Sequence, residues 1–390
     1  MKMILSTRTP VHIGTGLAYH PNEFIHDRVN GEGQFIWRMD PTSLSRSFDE
    51  SQRDEFIQRM DDAAAGEDFS LTDFIKHHGI SPLPFRLYRL DNNTGELEPK
   101  EIKECIKTAG VPYIPGSSVK GAIRTALAWW HAKEDDSFPE SIGSDLDGRR
   151  RSKGREIGNE YVASIFSLKP KEKRGYDAKY DLLKFFQVSD FMPQECSHTC
   201  ESIHTYSLQQ NRLKKKGYSI FAECVLGTFS GSVGGLDQIK YLVKSKELPL
   251  LKDKMHLLGL ANPNDTSQVP SHLGKILTEW NRWCLEKEKA LVRSDNTGTL
   301  IRSLENAESW LKESPHIRLG FGVGTLYQTL IGLLEEKDPD LAVNVREKLK
   351  LGKISRTYSS GDINPPYPKS IEFTRTGYPM GWVAVKMDGQ

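Results

Sequence analysis

The segment YIPGSSVKGAIR, residues 113–124, gives the clearest indication of the fold. Pro115 and Gly116 are predicted to form a turn. Ser117 or Ser118 is then the expected N-cap of a helix over residues 118–131. The apolar side chains of this helix fall on one face, which indicates packing against a core. They are Val119, Ala122, Ile123, Ala126, Leu127 and Trp130.

The opposite face of this helix carries Lys120 and Arg124, which are one turn apart. Cations near a helix N-terminus are mildly unfavourable because of the helix dipole. An anion such as phosphate bound at that end would explain two of them there. The alternative is that both side chains are solvated or paired with a local carboxylate.

A second candidate for phosphate binding is the glycine-rich stretch RLGFGVG, residues 318–324. Alternating glycines allow the backbone to approach a ligand closely and to adopt positive φ angles. Successive N–H groups in such a turn can bind an anion. The spacing matches neither a dinucleotide-binding loop nor a P-loop. A tight turn without any ligand is the alternative.

The remaining elements follow from hydrophobic periodicity along the chain. Strands are predicted within residues 3–13, 34–37, 183–190, 218–229 and 381–386, and helices within 42–78, 235–293 and 298–312. The order is strand, helix, two strands, helix, strand, which is the βαββαβ pattern of ferredoxin-like and RRM-like folds. We therefore expect an α+β protein with large helical and loop insertions. The expected boundaries are 1–234 for the first part of the core, with insertions at 40–105 and 134–180; 235–297 for a helical insertion; and 298–390 for the rest.

The overall charge gives little support for a free-standing nucleic-acid binder. Lys and Arg total 53 against 52 Asp and Glu, so the net charge is +1. The distribution matters more than the total, and three basic clusters lie within residues 149–155, 169–174 and 214–216. They could follow a phosphate backbone, or form solvated loops.

Other features favour a soluble cytoplasmic protein. The first residues contain no apolar signal sequence, and no apolar run approaches the ~18 residues of a membrane span. The five cysteines are scattered and odd in number, which favours a reducing compartment.

Neither a metal site nor a catalytic residue is predicted. Cys196, His198, Cys200 and His204 could supply zinc ligands, but their spacing matches no standard zinc finger. His12 and Lys120 could act as the acid and base of a metal-independent ribonuclease. Isolated histidines usually have other roles, and no hydrolase or kinase motif is present. No cofactor is expected.

Three stretches together resemble the RAMP proteins, the RRM-like family of CRISPR systems: residues 9–16 (TPVHIGTG), 114–124 (IPGSSVKGAIR) and 318–324 (RLGFGVG). The tail, with YPKS at 367–370 and PMGWV at 379–383, resembles the type III-A subunit that caps the 3′ end of the crRNA. Asp27 lies where the target-cleaving backbone subunit carries its Asp, but its FIHD context differs and no cleavage is assigned to it.

The resemblance implies a non-catalytic, crRNA-binding subunit of a type III-A (Csm) effector complex. It would cap the filament, support crRNA maturation and assembly, and contact the backbone RAMP subunits and, indirectly, target RNA. The alternatives are a RAMP endoribonuclease that processes repeat RNA and a purely protein-binding adaptor. The implied RNA-binding residues are His12, Gly14, Ser117, Ser118, Lys120, Arg124, Arg318, Gly320, Gly322 and Gly324.

Overall fold

The computed structural model describes most of the 390-residue chain. The described residues are 1–29, 33–95, 99, 101–148, 157–170, 176–209, 212–293, 298–351 and 367–388. Within them, no helix combines the length and the apolar character that crossing a bilayer requires.

The described residues form one large mixed sheet, a two-stranded sheet and helices packed around them. The strands are β1 (Lys2–Thr7), β2 (Gly14–Tyr19), β3 (Phe24–Val29), β4 (Gly33–Met39), β5 (Arg86–Asn92), β6 (Ile102–Cys105), β7 (Lys107–Thr108), β8 (Val111–Pro112), β9 (Gln187–Val188), β10 (Met192–Gln209), β11 (Arg212–Gly234), β12 (His316–Arg318), β13 (Ser370–Thr374) and β14 (Trp382–Met387). The α-helices are α1 (Pro41–Arg46), α2 (Glu50–Ala64), α3 (Leu71–His77), α4 (Gly116–Glu134), α5 (Phe138–Gly148), α6 (Asn159–Phe166), α7 (Ile239–Leu242), α8 (Leu251–Lys254), α9 (Val269–Val292), α10 (Thr299–Glu313), α11 (Ile331–Lys337) and α12 (Pro339–Leu349).

Four strands of the large sheet have the ferredoxin-like arrangement. They lie in the order β14-β1-β11-β10, and each neighbouring pair is antiparallel. In the sequence, α4 lies between β1 and β10, and α9 and α10 lie between β11 and β14. This is the βαββαβ topology, so the predicted fold class is confirmed. Leu5 is paired with Phe229 on one side and Val385 on the other, at the centre of the core.

The insertion between β2 and α4 extends the same sheet. β5, β4 and β3 follow β10 in order, and the outermost strand, β3, is backed by α3, where Thr72 Oγ1 accepts from the His26 N–H at 2.9 Å. Leu44, Phe48 and Phe74 form a separate small core here. The helices predicted over residues 42–78 are confirmed as α1 to α3.

One predicted strand was wrong and one long strand was missed. Residues 183–190 contain a 3₁₀ turn, Leu182–Phe185, and only the two-residue β9. A short apolar run fits a buried turn as well as a buried strand, which explains the error. The missed strand is β10, whose polar sequence lacks alternation and is held by its long ladder with β11. Residues 134–180, predicted as a polar excursion, contain α5 and α6.

The main core draws on all three predicted segments of the chain. It contains Leu5 and Ile123 from the first, Trp280 from the second, and Leu304 and Trp382 from the third. Trp280 packs against Trp129 of α4 with ring centroids 5.3 Å apart. The boundaries at 234 and 297 stay a prediction, and the segments share one hydrophobic interior.

Candidate functional site

Helix α4 begins at Gly116, before both of the residues predicted as its N-cap. Its N-cap is Pro115, so Ser117 and Ser118 lie in the first turn and neither serves as the cap, contrary to the prediction. The first helical N–H, that of Gly116, donates to Asp190 Oδ1 at 2.8 Å. A Cβ at Gly116 would lie 2.4 Å from the carbonyl oxygen of Val188. Glycine therefore lets this helix end pack against the β9–β10 connection, while Ser117 stays exposed.

The two cations of α4 have different surroundings. The Arg124 guanidinium pairs with Asp181 at 2.7 Å and lies 4.2 Å from the Phe166 ring centroid. Lys120 has no ion pair with a described carboxylate. Partial burial lowers the pKa of Lys120; the nearby Asp181 opposes this effect and Arg124 adds to it. The local-carboxylate alternative therefore holds for Arg124, and Lys120 is the cation available to an anion.

The glycine-rich turn packs directly on the segment after β1. Gly320 has a φ of 86°, and a Cβ there would lie 2.2 Å from the carbonyl oxygen of His12. That oxygen accepts a hydrogen bond from the Phe321 N–H at 2.8 Å. Gly324 has a φ of 77°, with no atom within 4 Å of its Cβ position. The structure thus joins two of the three stretches that the sequence analysis singled out.

The side chain of His12 lies inside the protein, next to this turn, and its contact with RNA stays a prediction. His12 is only 3% exposed, and its Nδ1–H donates to the carbonyl oxygen of Glu223 at 2.7 Å. Burial lowers its pKa, which keeps the ring neutral. Gly14 lies beside it at the exposed start of β2, where a Cβ would be 2.8 Å from His12 Nε2.

Glu223 is a buried carboxylate that the sequence analysis missed. Its side chain is 0% exposed, and Oε2 accepts from Lys107 Nζ at 2.5 Å. The same oxygen accepts from the Tyr19 hydroxyl at 2.6 Å and from the Cys105 N–H at 2.9 Å. Burial, Glu223 and Tyr88 all raise the pKa of Tyr19. A single acidic residue inside the apolar run YSIFAECVLGTF was the signal that could have identified it.

Arg318 is also buried, and its contact with RNA stays a prediction. Its guanidinium is 0% exposed and pairs with Glu288 of α9 at 2.5 Å. Nε and Nη2 donate to the carbonyl oxygen of Met380 at 3.0 and 2.9 Å. Glu288 also accepts from the Tyr327 hydroxyl at 3.0 Å. All three residues of β12 are buried, Arg318 included. Its ion pair and hydrogen bonds therefore fix the start of the glycine-rich turn from inside the protein.

A cavity of about 750 Å³ connects the two candidate regions. Arg124 and Thr125 form part of its wall, and Thr325, which follows Gly324, forms another part. Most of the other lining residues have apolar or aromatic side chains, among them Phe138 of α5, Leu334 of α11 and Val345 of α12. Such walls do not suit a phosphate chain. Phosphate contacts are therefore expected outside the cavity, around Ser117, Lys120 and Gly324.

The possible zinc ligands do not form a cluster. Among the described residues, no three His, Cys, Asp or Glu side chains are arranged to hold a metal ion. His204 Nε2 contacts Ser202 Oγ at 3.0 Å and the cationic Lys215 Nζ at 3.3 Å. Of the basic clusters, Lys214–Lys216 lies on β11, whereas 149–155 and most of 169–174 fall outside the described residues.

His316, two residues before Arg318, makes the stability of this region pH-dependent. The residue is 0% exposed, and its Nδ1–H donates to the carbonyl oxygen of Ser314 at 2.8 Å. Its Nε2 has no hydrogen-bond partner among the described residues. Burial lowers its pKa to about 4. An unfolded histidine titrates near ~6.5. The stability from the neutral ring is therefore complete above pH ~6.5 and is lost as the pH falls towards ~4.

We expect the melting temperature to be lower at pH 5 than at pH 7.5, and the difference to be smaller in the His316→Phe variant. Part of the pH dependence should remain, because burial also lowers the pKa of His26 to about 4. Differential scanning fluorimetry at the two pH values measures the effect, with exposed His256→Gln as the control. An unchanged pH dependence in His316→Phe would contradict this account.

Comparison with known proteins agrees with this architecture. Residues 4–324 match the RAMP superfamily. A protein named "CRISPR system Cms protein Csm5" from Methanocaldococcus jannaschii is 25% identical over 271 residues, which cover 68% of this chain and 58% of that protein. The protein of the same name from Streptococcus thermophilus is 29% identical over 207 residues, which cover 49% of this chain and 51% of that protein. The chain thus spans little more than half the length of these relatives.

Two solved structures have a similar fold. One chain of the cryo-EM structure of a Csm–crRNA–target RNA ternary complex of a type III-A CRISPR-Cas system matches with a TM-score of 0.70 and 22% identity, over 99% of this chain and 100% of that chain. The crystal structure of T. onnurineus Csm5 matches with a TM-score of 0.64 and 21% identity, over 98% and 99%. At these identities the likeness concerns the fold.

Proposed function

The chain belongs to the RAMP superfamily, and on that premise we propose that it is a non-catalytic, crRNA-binding subunit of a type III-A (Csm) effector complex. It caps the filament at the 3′ end of the crRNA and supports crRNA maturation and assembly. Its partners are crRNA, the backbone RAMP subunits and, through them, target RNA. The names of the relatives and the full-length likeness to one chain of a Csm–crRNA complex support this proposal.

The observation that carries the proposal is the contact between the glycine-rich turn and the segment at His12. It creates a backbone-lined surface on which Gly14 and Gly324 are accessible. Lys120, unpaired with any described carboxylate, supplies a cation on α4, the helix whose Arg124 lines the same cavity as Thr325. Glycine backbone together with a lysine suits a phosphate chain, which needs close approach and positive charge. Arg124 contributes only where a phosphate displaces Asp181.

We expect Lys120→Ala to weaken binding of single-stranded RNA about equally for all sequences. The slope of log affinity against log salt concentration should fall by about 1, since one phosphate contact is lost. Fluorescence anisotropy from about 50 to 300 mM salt measures both quantities. Lys252→Ala, on the exposed side of α8, is the matched control. Equal slopes for the two variants would remove Lys120 from the interface.

The endoribonuclease alternative requires His12 to reach an RNA ribose. In the structure its ring is buried and hydrogen-bonded to the main chain of Glu223. Asp27, to which no cleavage was assigned, pairs with Arg86 at 2.9 Å. Incubation with repeat RNA in EDTA tests the alternative: specific cleavage that His12→Ala abolishes would favour it, and intact RNA is the result that our proposal expects.

A further inference from the structure

The β10–β11 hairpin contains a three-residue bulge. Its ladder pairs His204 with Ser219 and then Tyr206 with Lys215. On β10 only Thr205 lies between these pairs, whereas β11 has Lys216, Gly217 and Tyr218 there. Extra residues leave the ladder and change the direction of their side chains. The bulge therefore presents Lys216 and Tyr218 away from the regular sheet pattern.

This bulge lies on the same side of the molecule as the glycine-rich turn. Thr205, the residue opposite it, pairs with Glu372 of β13 on its other side. The Cβ position of Gly322 is 3.4 Å from the Cβ of Glu372. Two strand spacings, about 10 Å in all, separate the bulge from β13. A nucleotide chain lying on the Gly322 turn could therefore reach the bulge within one or two nucleotides.

The bulge carries an exposed aromatic ring and a half-buried cation. Tyr218 has a large aromatic side chain and is 52% exposed. Lys216 Nζ lies 3.5 Å from the Tyr218 hydroxyl and 5.7 Å from the ring centroid. Single-strand-binding proteins combine such rings, on which bases stack, with cations that contact the backbone. The half-buried Phe321 of the glycine-rich turn packs against the small buried cluster that contains Ile203 of β10 and Ala222 of β11.

One carboxylate lies close to this surface and is already engaged. Burial raises the pKa of Glu372, whereas Arg318, Lys216 and a hydrogen bond with Thr205 act to lower it. The cations Arg318 and Lys216 partly offset its repulsion of a phosphate at Lys216.

We propose that the bulge is a subsite for one unpaired RNA nucleotide, whose base stacks on Tyr218 and whose phosphate contacts Lys216. This inference rests on the proposed RNA-binding function and adds to it a position at which one base is bound by stacking. Stacking is tolerant of sequence, so the subsite accepts any base.

The test uses the full-length chain and a series of 20-nucleotide single-stranded RNAs, each with 2-aminopurine at one position. With the wild-type chain, stacking should quench 2-aminopurine fluorescence at a defined position. Tyr218→Ala should abolish that quenching and weaken binding about 5- to 150-fold, whereas Tyr218→Phe should retain both. Lys216→Ala should lower the salt slope by about 1, and Tyr218→Ala should leave the slope unchanged.

The matched control is Tyr241→Ala. Tyr241 is 74% exposed and also has a neighbouring lysine, with Lys240 Nζ 4.8 Å from the ring centroid, but it lies on α7, beyond the other end of β11. If Tyr218→Ala and Tyr241→Ala behave alike while wild type binds RNA, the subsite is wrong and the proposed function stands. If the wild-type chain, alone and in the complex purified through it, carries no RNA, both are wrong.

Discussion

Replacement of Glu288 by alanine is expected to lower the free energy of unfolding by about 3–5 kcal/mol. The variant leaves the Arg318 guanidinium, which is 0% exposed, without its carboxylate partner at 2.5 Å. The Tyr327 hydroxyl loses its acceptor as well. A buried charge without a partner is far more unfavourable than the intact pair is favourable. Urea unfolding followed by tryptophan fluorescence measures the difference.

The matched control for this prediction is Glu286→Ala on the same helix. Glu286 pairs with Lys289 at 3.0 Å, but its side chain is 50% exposed. Its removal should change the free energy of unfolding by no more than about 0.5 kcal/mol. The double variant Glu288→Leu with Arg318→Met should recover part of the loss, since no buried charge remains. A single Glu288→Ala no less stable than Glu286→Ala would disprove the assigned role.

The second large effect is expected for Glu223→Ala, again about 3–5 kcal/mol of unfolding free energy. Glu223 Oε2 is the common acceptor of the Lys107 ammonium, the Tyr19 hydroxyl and the Cys105 N–H. Lys107 is only 8% exposed and would keep its charge with a weaker partner. Because the three donors come from β2, β6 and β7, the variant should loosen the attachment of these strands to β11.

Glu104 provides an internal control, since it approaches the same lysine. Its Oε1 lies 3.6 Å from Lys107 Nζ, and its side chain is 25% exposed. Glu104→Ala should therefore lower the free energy of unfolding by less than about 1 kcal/mol. The Cys105 N–H donates a hydrogen bond directly to Glu223. Its hydrogen exchange should therefore become faster in Glu223→Ala and stay unchanged in Glu104→Ala. Equal effects of the two variants would show that burial of Glu223 has no special consequence.

Both predictions concern residues that hold the candidate site from within. The Glu223 main chain fixes the His12 ring, and the His12 carbonyl oxygen receives the glycine-rich turn. Arg318, the first residue of the glycine-rich stretch, is held by its buried ion pair with Glu288. The turn is therefore fixed by two separate buried polar groups.

The sequence by itself determined the features that depend on neighbouring residues. The amphipathic helix that follows Pro115, the first and last strands and the βαββαβ order were predicted correctly. The helix and the strands depend largely on interactions within a few residues, such as apolar side chains at helical spacing. The family resemblance rested on the same local segments, and the match over residues 4–324 agrees with it.

Only the tertiary structure decided which of the singled-out side chains face solvent. His12 and Arg318 looked available for RNA but are buried, and Glu223 and Glu288 were not noticed. The partner of His12 lies on β11, and that of Arg318 lies on α9, both far along the chain. Whether a charged group is buried depends on what packs over it from elsewhere. Local periodicity contains no record of those distant partners, so the burial and pairing of these groups followed from the folded arrangement alone.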